Sequence, residues 1–333
     1  MAGPVKLAEG ARVVVTGGAG FFGSALVALL LARGCEVVVL DDLSTGVLRN
    51  LPRDHPGLAV RIVRIGDPAF SRLIDEEVAA AQAVFHLASP IGVLRAHAER
   101  FAVTKSIIDS SSAIAEACMR SRCPLLYTSS SEVYGAGQDQ PISESHPVVT
   151  DIRPRWGYAA AKAAGEHLVA ALFHEFDVPS WIVRPFNIAG ARQRVATGQV
   201  VPAFVIAALK GEPIMVHDDG DQRRSFLHVA DAAAGLIAIM ESETLRGKPV
   251  NLGNTDSIRI GDLARLVGDV LGVPVSIVKR PSQTVFGEGF AVTRNRIPDT
   301  RLLRDATGWE PRRTMREAIA DCVAYLESER ILA

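Results

Sequence analysis

The sequence predicts an α/β protein built on a doubly wound parallel sheet, with a smaller, mixed α/β lobe formed by its C-terminal part. Three observations support this prediction. Short Val- and Ile-rich runs alternate with longer helix-like stretches, which is typical of βαβ units. The runs are apolar nearly throughout rather than at every second residue, as in strands covered on both faces. The regularity loosens after about residue 187, where the polar loops become longer.

Six short runs, each bounded by Gly, Pro or polar residues, are predicted to be buried strands: 12–16, 36–40, 58–65, 83–87, 125–129 and 181–186. Helices are predicted between them, including 23–33, 98–120 and 158–176. Further on, helix-like or strand-like pieces separate three polar loops, at 198–201, 217–224 and 279–296. The 333 residues have room for about two domains. We assign residues 1–187 to the sheet domain and 188–333 mainly to the smaller lobe, with the two interleaved.

The composition excludes several classes of function. The 36 basic and 37 acidic side chains leave a net charge of −1, and the arginines are scattered, so no nucleic-acid partner is expected. No signal peptide is evident, and the longest apolar run, 25–32, is far shorter than a membrane span of ~20 residues. The 4 cysteines are too dispersed for a disulfide framework or a zinc site. We expect a cytoplasmic protein with reduced thiols and no bound metal.

A glycine-rich turn joins the first predicted strand to the first helix. Gly17, Gly20 and Gly23 allow a tight turn, a close approach of the backbone to a pyrophosphate and close packing of helix on strand. The helix N-terminus then offers free N–H groups to the phosphates. The second strand ends about 20 residues later in Asp41, where a carboxylate holds an adenosine ribose. No Arg follows directly to meet a 2′-phosphate, so residues 1–187 are predicted to form a Rossmann-type domain that binds NAD.

A second pattern indicates catalysis. Tyr158 and Lys162 are four residues apart and share a helix face. A cation near a phenol lowers the pKa of the phenol, which makes it available as a base near neutral pH. Alone, this pair would suggest only a surface Tyr beside a solvated Lys. However, a predicted strand ends just before Ser130, Ser131 and Glu132, which puts hydroxyls and a carboxylate at the edge of the sheet where ligands bind.

Taken together, these residues resemble the extended short-chain dehydrogenase/reductase family that acts on nucleotide sugars. Its members include UDP-hexose and UDP-glucuronate 4-epimerases, UDP-glucuronate decarboxylases and dTDP-glucose 4,6-dehydratases. The resemblance covers nearly the whole chain and is carried by these segments: 16–23, 41–46, 66–67, 86–90, 129–135, 158–162, 184–187, 224–231, 251–254 and 308–311. The motifs are highly specific for the family and only partly specific within it.

The resemblance implies a bound NAD, with Asp67 near the adenine and Lys162 on the nicotinamide ribose. The full set of cofactor residues that it implies is Gly17, Gly20, Phe21, Phe22, Gly23, Asp41, Ser44, Thr45, Gly46, Gly66, Asp67, Leu87, Ala88, Ser89, Thr104, Tyr158, Lys162 and Pro185. At position 104 relatives carry Asn, so Thr104 is a departure from the family pattern.

For catalysis the resemblance implies Tyr158 as base, Lys162 as its partner and Ser130 on the sugar O4, beside Ser131 and Glu132. The implied substrate residues are Ser89, Pro90, Ser130, Tyr158, Asn187, Arg192, Val201, Phe204, His217, Arg224 and Arg296. Among these, Asn187 and Arg224 match diphosphate ligands, and Val201 and Phe204 match the uridine side. His217 replaces an aromatic residue that stacks on the base in relatives. The acid that precedes Arg296 in relatives is missing at 290–292.

The choice of reaction rests on a few positions. Dehydratases carry an Asp-Glu pair where this chain has Ser131 and Glu132, so dehydration is disfavoured. Decarboxylases share Ser131 and Glu132. In an epimerase of a uronate, Arg192 or Arg194 would hold the C6 carboxylate in the ketone plane and slow the loss of carbon dioxide. The other interpretation of both arginines is diphosphate binding or solvent exposure.

The leading prediction is an NAD-dependent 4-epimerase of a UDP-sugar, converting UDP-glucuronate to UDP-galacturonate or UDP-glucose to UDP-galactose. The alternative is a UDP-glucuronate decarboxylase that forms UDP-xylose. A non-catalytic NAD-binding sensor is a third hypothesis, which the presence of both Tyr158 and Lys162 disfavours. The apolar faces of helices 98–120 and 158–176 predict a homodimer through a two-fold helical bundle.

Overall fold

The computed structural model describes residues 4–90, 98–136, 140–153, 156–194, 198–286 and 293–329. The strands are β1 Arg12–Thr16, β2 Glu36–Asp41, β3 Leu58–Ile62, β4 Ala83–His86, β5 Leu125–Thr128, β6 Ser180–Pro185, β7 Asn187–Ala189, β8 Ile214–His217, β9 Arg223–His228, β10 Pro249–Leu252, β11 Ser257–Arg259, β12 Ile277–Arg280 and β13 Asn295–Arg296. The helices are α1 Phe21–Ala32, α2 Ser71–Ala79, α3 Arg100–Ser121, α4 Gly157–Phe176, α5 Val200–Leu209, α6 Val229–Met240, α7 Ile260–Leu271, α8 Gln283–Phe286, α9 Arg301–Thr307 and α10 Met315–Ser328.

Seven strands form one parallel sheet in the order β10-β6-β5-β4-β1-β2-β3. The chain order reverses between β1 and β4, which opens a crevice at the carboxyl ends of these strands. The predicted doubly wound α/β fold is therefore confirmed, and all six predicted strands are present. β3 ends at Ile62 rather than at residue 65. It is the edge strand of the sheet, and Ile62 is exposed.

Helices cover both faces of the sheet because neighbouring strand residues point to opposite sides. On β1, Val13 and Val15 face a core shared with α1 and α6, whereas Val14 faces a core shared with α2, α3 and α4. All three valines are fully buried. This two-sided burial explains why the strands are apolar at successive positions rather than at alternate ones.

The two halves of the chain are interleaved. β10 pairs with β6 in the main sheet, and α6 packs against α1, although both elements follow residue 187. The rest of the second half forms a smaller lobe, with a core contributed by α5, α7 and α10. In this lobe β9 pairs with β7, β11 and β13, and β8 pairs with β12.

Two of the predicted loops are more ordered than expected. The loop predicted at 217–224 already contains the first residues of β9, and the one predicted at 279–296 contains the end of β12, all of α8 and all of β13. These strands are two to six residues long, and their pairing partners are distant in sequence, so no local periodicity marks them. No helix within the described ranges is long and apolar enough to span a bilayer.

Candidate active site

A cavity of about 1300 Å³ lies where the parallel strands end, between the main sheet and the smaller lobe. Most of the residues that the sequence analysis selected line it: Gly17, Gly20, Phe21, Phe22, Gly23, Asp41, Ser44, Thr45, Gly66, Asp67, Leu87, Ala88, Ser89, Pro90, Ser130, Glu132, Tyr158, Lys162, Pro185, Asn187, Val201, Phe204, His217, Arg224 and Arg296. The fold thus brings the glycine-rich turn, the Tyr–Lys pair and the predicted nucleotide-sugar residues to one chamber.

Four selected residues do not line this cavity. Gly46 lies behind the wall, where a Cβ would stand 3.0 Å from Asp41 Oδ1. Ser131 is buried at the start of a 3-10 turn. Thr104 Oγ1 lies 2.9 Å from the position of a Cβ on Gly157, so this side chain is directed towards α4.

Arg192 is the fourth of these residues, and its position bears on the choice of reaction. Its backbone is left-handed, with φ at 71°, and this turns the chain just after β7. Burial lowers the pKa of the Arg192 guanidinium, and the Tyr325 side chain on α10 opposes this shift. The neighbouring Gln193 and Arg194 line the cavity instead. The structure therefore does not bring Arg192 to the place where it would hold a substrate carboxylate.

The glycine-rich turn is packed so closely that side chains would collide with the backbone at Gly17 and Gly23. Gly17 has a φ of 68°, and a Cβ there would stand 2.9 Å from the Ala88 backbone. A Cβ on Gly23 would collide with the Gly17 carbonyl. Gly20 caps α1 without a side-chain hydrogen bond, so the first N–H groups of this helix have no capping side chain within the described part of the chain. Such a helix N-terminus is an anion site suited to a diphosphate.

Asp41 is held at the end of β2 by backbone donors. Ala19 N donates to Asp41 Oδ2 at 2.9 Å, and Leu43 N donates to Oδ1 at 2.8 Å. Burial raises the pKa of the Asp41 carboxyl, and these two hydrogen bonds oppose that shift. The carboxylate is thereby fixed in the cavity wall with remaining acceptor capacity, as recognition of a ribose hydroxyl requires.

The wall also holds a buried hydroxyl beside Tyr158. Ser89 lines the cavity, and its side chain lowers the pKa of the Tyr158 phenol through a hydrogen bond. Because a hydroxyl can both donate and accept, Ser89 Oγ has further bonding capacity for a ligand. The uncapped helix, the turn without Cβ atoms and this hydroxyl together fit NAD.

The Tyr–Lys pair lies on α4, facing the end of β5. Lys162 is 2% exposed, and its Nζ donates to the Thr128 carbonyl at 2.8 Å. Burial lowers the pKa of Lys162 to about 7, while the carboxylate of Glu166 acts in the opposite direction. Burial also raises the pKa of Tyr158 to about 12, against a hydrogen bond from Ser130 that lowers it.

The pKa of Tyr158 is raised, whereas the sequence pattern predicts that it is lowered. The sequence analysis expected Lys162 to depress the pKa of the phenol, but in the folded chain desolvation of the phenolate dominates. Lys162 Nζ donates to the Thr128 carbonyl.

A buried ion pair behind these residues is absent from the sequence analysis. Arg184 donates to Glu166 through Nε at 2.9 Å and Nη2 at 2.6 Å, and Ser129 Oγ donates to Glu166 Oε1 at 2.5 Å. Glu166 thereby ties α4 to the ends of β5 and β6. A sequence signal exists, because Glu166 lies one further turn along the helix face shared by Tyr158 and Lys162.

A second ion pair stands in the cavity wall itself. Arg296 Nη1 donates to Glu132 Oε1, although the two residues are 164 positions apart. Arg296 is buried, its Nη2 donates to Thr293 Oγ1 at 3.1 Å, and its Nε has no partner among the described residues. Glu132 follows Ser130 by two residues, so this pair lies beside the hydroxyls that the sequence analysis predicts to be catalytic. Residues 290–292, where the analysis noted a missing acid, lie outside the described part of the chain.

The remaining selected residues form the wall contributed by the smaller lobe. Asn187 Nδ2 donates to the Ser225 carbonyl at 2.9 Å, which fixes the amide at the start of β7. Arg224 donates to the Thr293 carbonyl at 2.6 Å and to the Arg223 carbonyl at 2.8 Å. Val201 and Phe204 on α5 provide buried apolar surface. This wall combines cationic and apolar groups, as a nucleotide requires.

Comparison with known proteins agrees with this geometry. Residues 13–253 match the sequence model of the NAD dependent epimerase/dehydratase family. A UDP-N-acetyl-alpha-D-glucosaminuronate decarboxylase of Bacillus cytotoxicus is 30% identical over 94% of this chain and 97% of its own. A UDP-glucuronic acid decarboxylase 1 of Xenopus tropicalis is 32% identical over 96% of this chain and 72% of its own.

Solved structures are similar over almost the whole chain. A UDP-N-acetylglucosamine 4-epimerase from Methanobrevibacter ruminantium, in complex with UDP-N-acetylmuramic acid, superposes with a TM-score of 0.86 and 27% identity, covering 96% of this chain and 99% of that one. A UDP-glucose 4-epimerase from Thermotoga maritima, with UDP-glucose, superposes with a TM-score of 0.85 and 25% identity. The match covers 96% of this chain and 99% of that one.

Proposed function

This protein belongs to the NAD dependent epimerase/dehydratase family and uses NAD, and from that premise we propose that it decarboxylates a UDP-hexuronate. The observation that carries the proposal is the Glu132–Arg296 ion pair in the cavity wall, beside Ser130 and Tyr158. Two relatives that match nearly the whole chain are named as decarboxylases of such sugars, UDP-glucuronate and its N-acetylated amino counterpart. These findings favour the alternative of the sequence analysis over its leading prediction, the 4-epimerase.

The position of Arg192 supports the same choice. A 4-keto uronate is a β-keto acid, so an epimerase must restrain its carboxylate to avoid losing carbon dioxide. From the sequence, Arg192 or Arg194 is the candidate for that task. Arg192 does not line the cavity, and Arg194 donates to the Thr45 carbonyl on the dinucleotide side. Arg296 lines the cavity and is paired with Glu132, which offsets its charge.

The chain's own residues suggest how the reaction proceeds. The glycine-rich turn, Asp41 and Lys162 would hold NAD, which would supply the acceptor for the C4 hydride and the means of its return. Tyr158 removes the O4 proton with Ser130 holding that oxygen, and Lys162 lies one turn further along the helix. When the C5–C6 bond breaks, its electron pair moves into an enolate, which protonated Tyr158 stabilises by donating to O4. Carbon dioxide leaves from C6, C5 takes up a proton from water, and Tyr158 gives its proton back to O4 when C4 is reduced again.

Glu132 and Arg296 would act on the carboxylate before it leaves. A free guanidinium would bind the carboxylate tightly in the ground state, which slows its loss. Because Glu132 shares the charge of Arg296, the pair can orient the carboxylate without strongly stabilising it.

The test is to incubate the purified protein with UDP-glucuronate and, in parallel, with UDP-N-acetylglucosaminuronate, following products by NMR and mass spectrometry. We expect a product that has lost the mass of one carbon dioxide and carries a pentose. A product of unchanged mass with inverted C4 would overturn the proposal, as would no change in either sugar. Tyr158→Phe is the matched control, because it should abolish turnover while NAD stays bound.

A 4-epimerase is the second candidate, favoured by the two epimerases that share the fold over nearly their whole length. A third incubation, with UDP-glucose, addresses it because that sugar has no carboxylate to lose. Formation of UDP-galactose would support the epimerase. The sensor hypothesis is disfavoured because Tyr158 and Lys162 both line the cavity.

A further inference from the structure

The loop between β2 and β3 covers the dinucleotide end of the cavity and is tied to the glycine-rich turn beneath it. Ser44 and Thr45 of this loop line the cavity. Further along, Val47 N and Asn50 Nδ2 both donate to the carbonyl of Ala19, at 3.0 and 2.9 Å. The loop is therefore built onto the turn that would receive the diphosphate.

The C-terminal helix holds the outer side of the same loop. Tyr325 OH on α10 donates to Asn50 Oδ1 at 3.4 Å. Arg49 forms an ion pair with Glu329, just beyond the end of α10. Neither contact lies in the cavity wall, so both anchor the loop from outside.

A third contact joins the β2–β3 loop to the segment after β7, and it lies at the cavity itself. Arg194 Nη1 donates to the Thr45 carbonyl at 2.8 Å, across 149 residues of sequence, and both residues line the cavity. Arg194 follows β7 by five residues, in the segment that begins with Asn187 and carries the substrate side of the wall. The same segment is stiffened from within, because Gln193 donates to the Ile188 carbonyl at 3.0 Å and accepts from Gly190 N at 3.2 Å.

We propose that Arg194 is a positioning residue that retains NAD, by bonding the Thr45 carbonyl and so closing the β2–β3 loop over the cofactor. An enzyme that takes a hydride from its sugar and returns it within one turnover has no need to release NAD. A contact that joins the β2–β3 loop to the segment after β7 would slow the release of NAD. The proposal depends on NAD binding and is independent of which sugar reaction the protein performs.

The test compares NAD release from wild type, Arg194→Ala and Arg194→Lys. Each protein is loaded with isotopically labelled NAD, diluted into excess unlabelled NAD, and sampled for label that stays with the protein after rapid gel filtration. Arg265→Ala is the matched control. Arg265 is an exposed Arg like Arg194, but it lies on α7 outside the main cavity, where it pairs with Asp262 at 2.6 Å. Thermal unfolding of each variant checks that the fold is retained.

We expect Arg194→Ala to release NAD about tenfold faster than wild type, Arg194→Lys to fall between them, and Arg265→Ala to match wild type. Turnover of Arg194→Ala should recover when excess NAD is supplied, which a general structural defect would not allow. Equal release rates for Arg194→Ala and Arg265→Ala would overturn the proposal. It would also be overturned if wild type itself lost its NAD within the filtration step.

Discussion

At Lys162, burial and charge act in opposite directions on a single ammonium group. Desolvation brings the pKa of Lys162 down to about 7, and Glu166, one turn away, opposes this shift. The hydrogen bond from Nζ to the Thr128 carbonyl fixes the side chain at the end of β5. Lys162 is therefore only partly protonated near neutral pH, and burial of the Tyr158 phenol separately raises the pKa of that group to about 12.

This shift makes stability depend on pH in a defined direction. Between about pH 7 and the ordinary Lys value of 10.5, the unfolded chain holds a proton at Lys162 that the folded chain has lost. The free energy of unfolding therefore rises with pH in that window. Relative to Lys162→Met, we expect the wild type to gain up to about 1.4 kcal/mol per pH unit. Urea unfolding of both proteins, stripped of NAD, at pH 7, 8 and 9 measures this, and a constant difference would contradict it.

In the proposed decarboxylation, the charge of Glu132 sets how strongly Arg296 binds the substrate carboxylate. In Glu132→Gln the guanidinium keeps its place without a compensating anion. We expect kcat for carbon dioxide release to fall about a hundredfold or more, with KM for UDP-glucuronate unchanged or lower, since the substrate carboxylate is then bound more tightly. Steady-state kinetics measure both constants. Glu76→Gln, which removes an exposed partner of Arg72, is the control and should leave both unchanged. An unaltered kcat in Glu132→Gln would refute the role.

At the scale of elements, the β1–α1 turn shows how a single backbone conformation creates a binding site. Gly17 combines a φ of 68° with direct contact to the Ala88 backbone, so a side chain there meets both strain and collision. Gly272, at the end of α7, has a φ of 67° with no described atom within 4 Å of its Cβ position. A substitution at Gly272 therefore introduces conformational strain alone, whereas a substitution at Gly17 adds a steric collision.

We expect Gly17→Ala to weaken NAD binding by more than tenfold and to destabilise the fold by more than Gly272→Ala does. The latter carries only the strain of a left-handed residue, about 1 kcal/mol, and should bind NAD normally. NAD titration and urea unfolding of the two variants give both quantities. Comparable losses of NAD affinity in the two would show that the Ala88 contact is unimportant.

At the scale of the whole molecule, the division at residue 187 does not separate two independent units. The main sheet needs β10 beside β6, and α1 needs α6 to bury its apolar face. The boundary drawn from loss of regularity marks where the smaller lobe begins, while later segments return to the sheet. The homodimer stays a prediction. α3 and α4 do pack against each other, with Ile108 and Leu168 exposed on them.

A fragment of residues 1–187 should consequently fail to fold. It lacks β10 and α6, which leaves β6 as an unprotected sheet edge and α1 with exposed leucines. We expect no cooperative urea transition by circular dichroism and no NAD binding, with the full chain as the comparison. A fragment that unfolds cooperatively and binds NAD would show that the later segments are dispensable for the first domain.

The sequence by itself determined the six main strands, the glycine-rich turn and the Tyr158–Lys162 pair. Each of these is recorded in the spacing of near neighbours, because strand burial, tight turns and helix faces repeat over a few residues. Family resemblance then indicated most of the cavity wall and the cofactor.

Only the tertiary structure decided which distant groups meet. It joined Glu132 to Arg296 and Arg194 to Thr45, and it left Arg192 outside the cavity. It also set the direction of the Tyr158 pKa shift, because desolvation depends on everything packed around a group and not on its neighbour four residues away. Contacts across more than a hundred residues and the burial of charge arise from packing alone, and for that reason no local pattern in the chain records them.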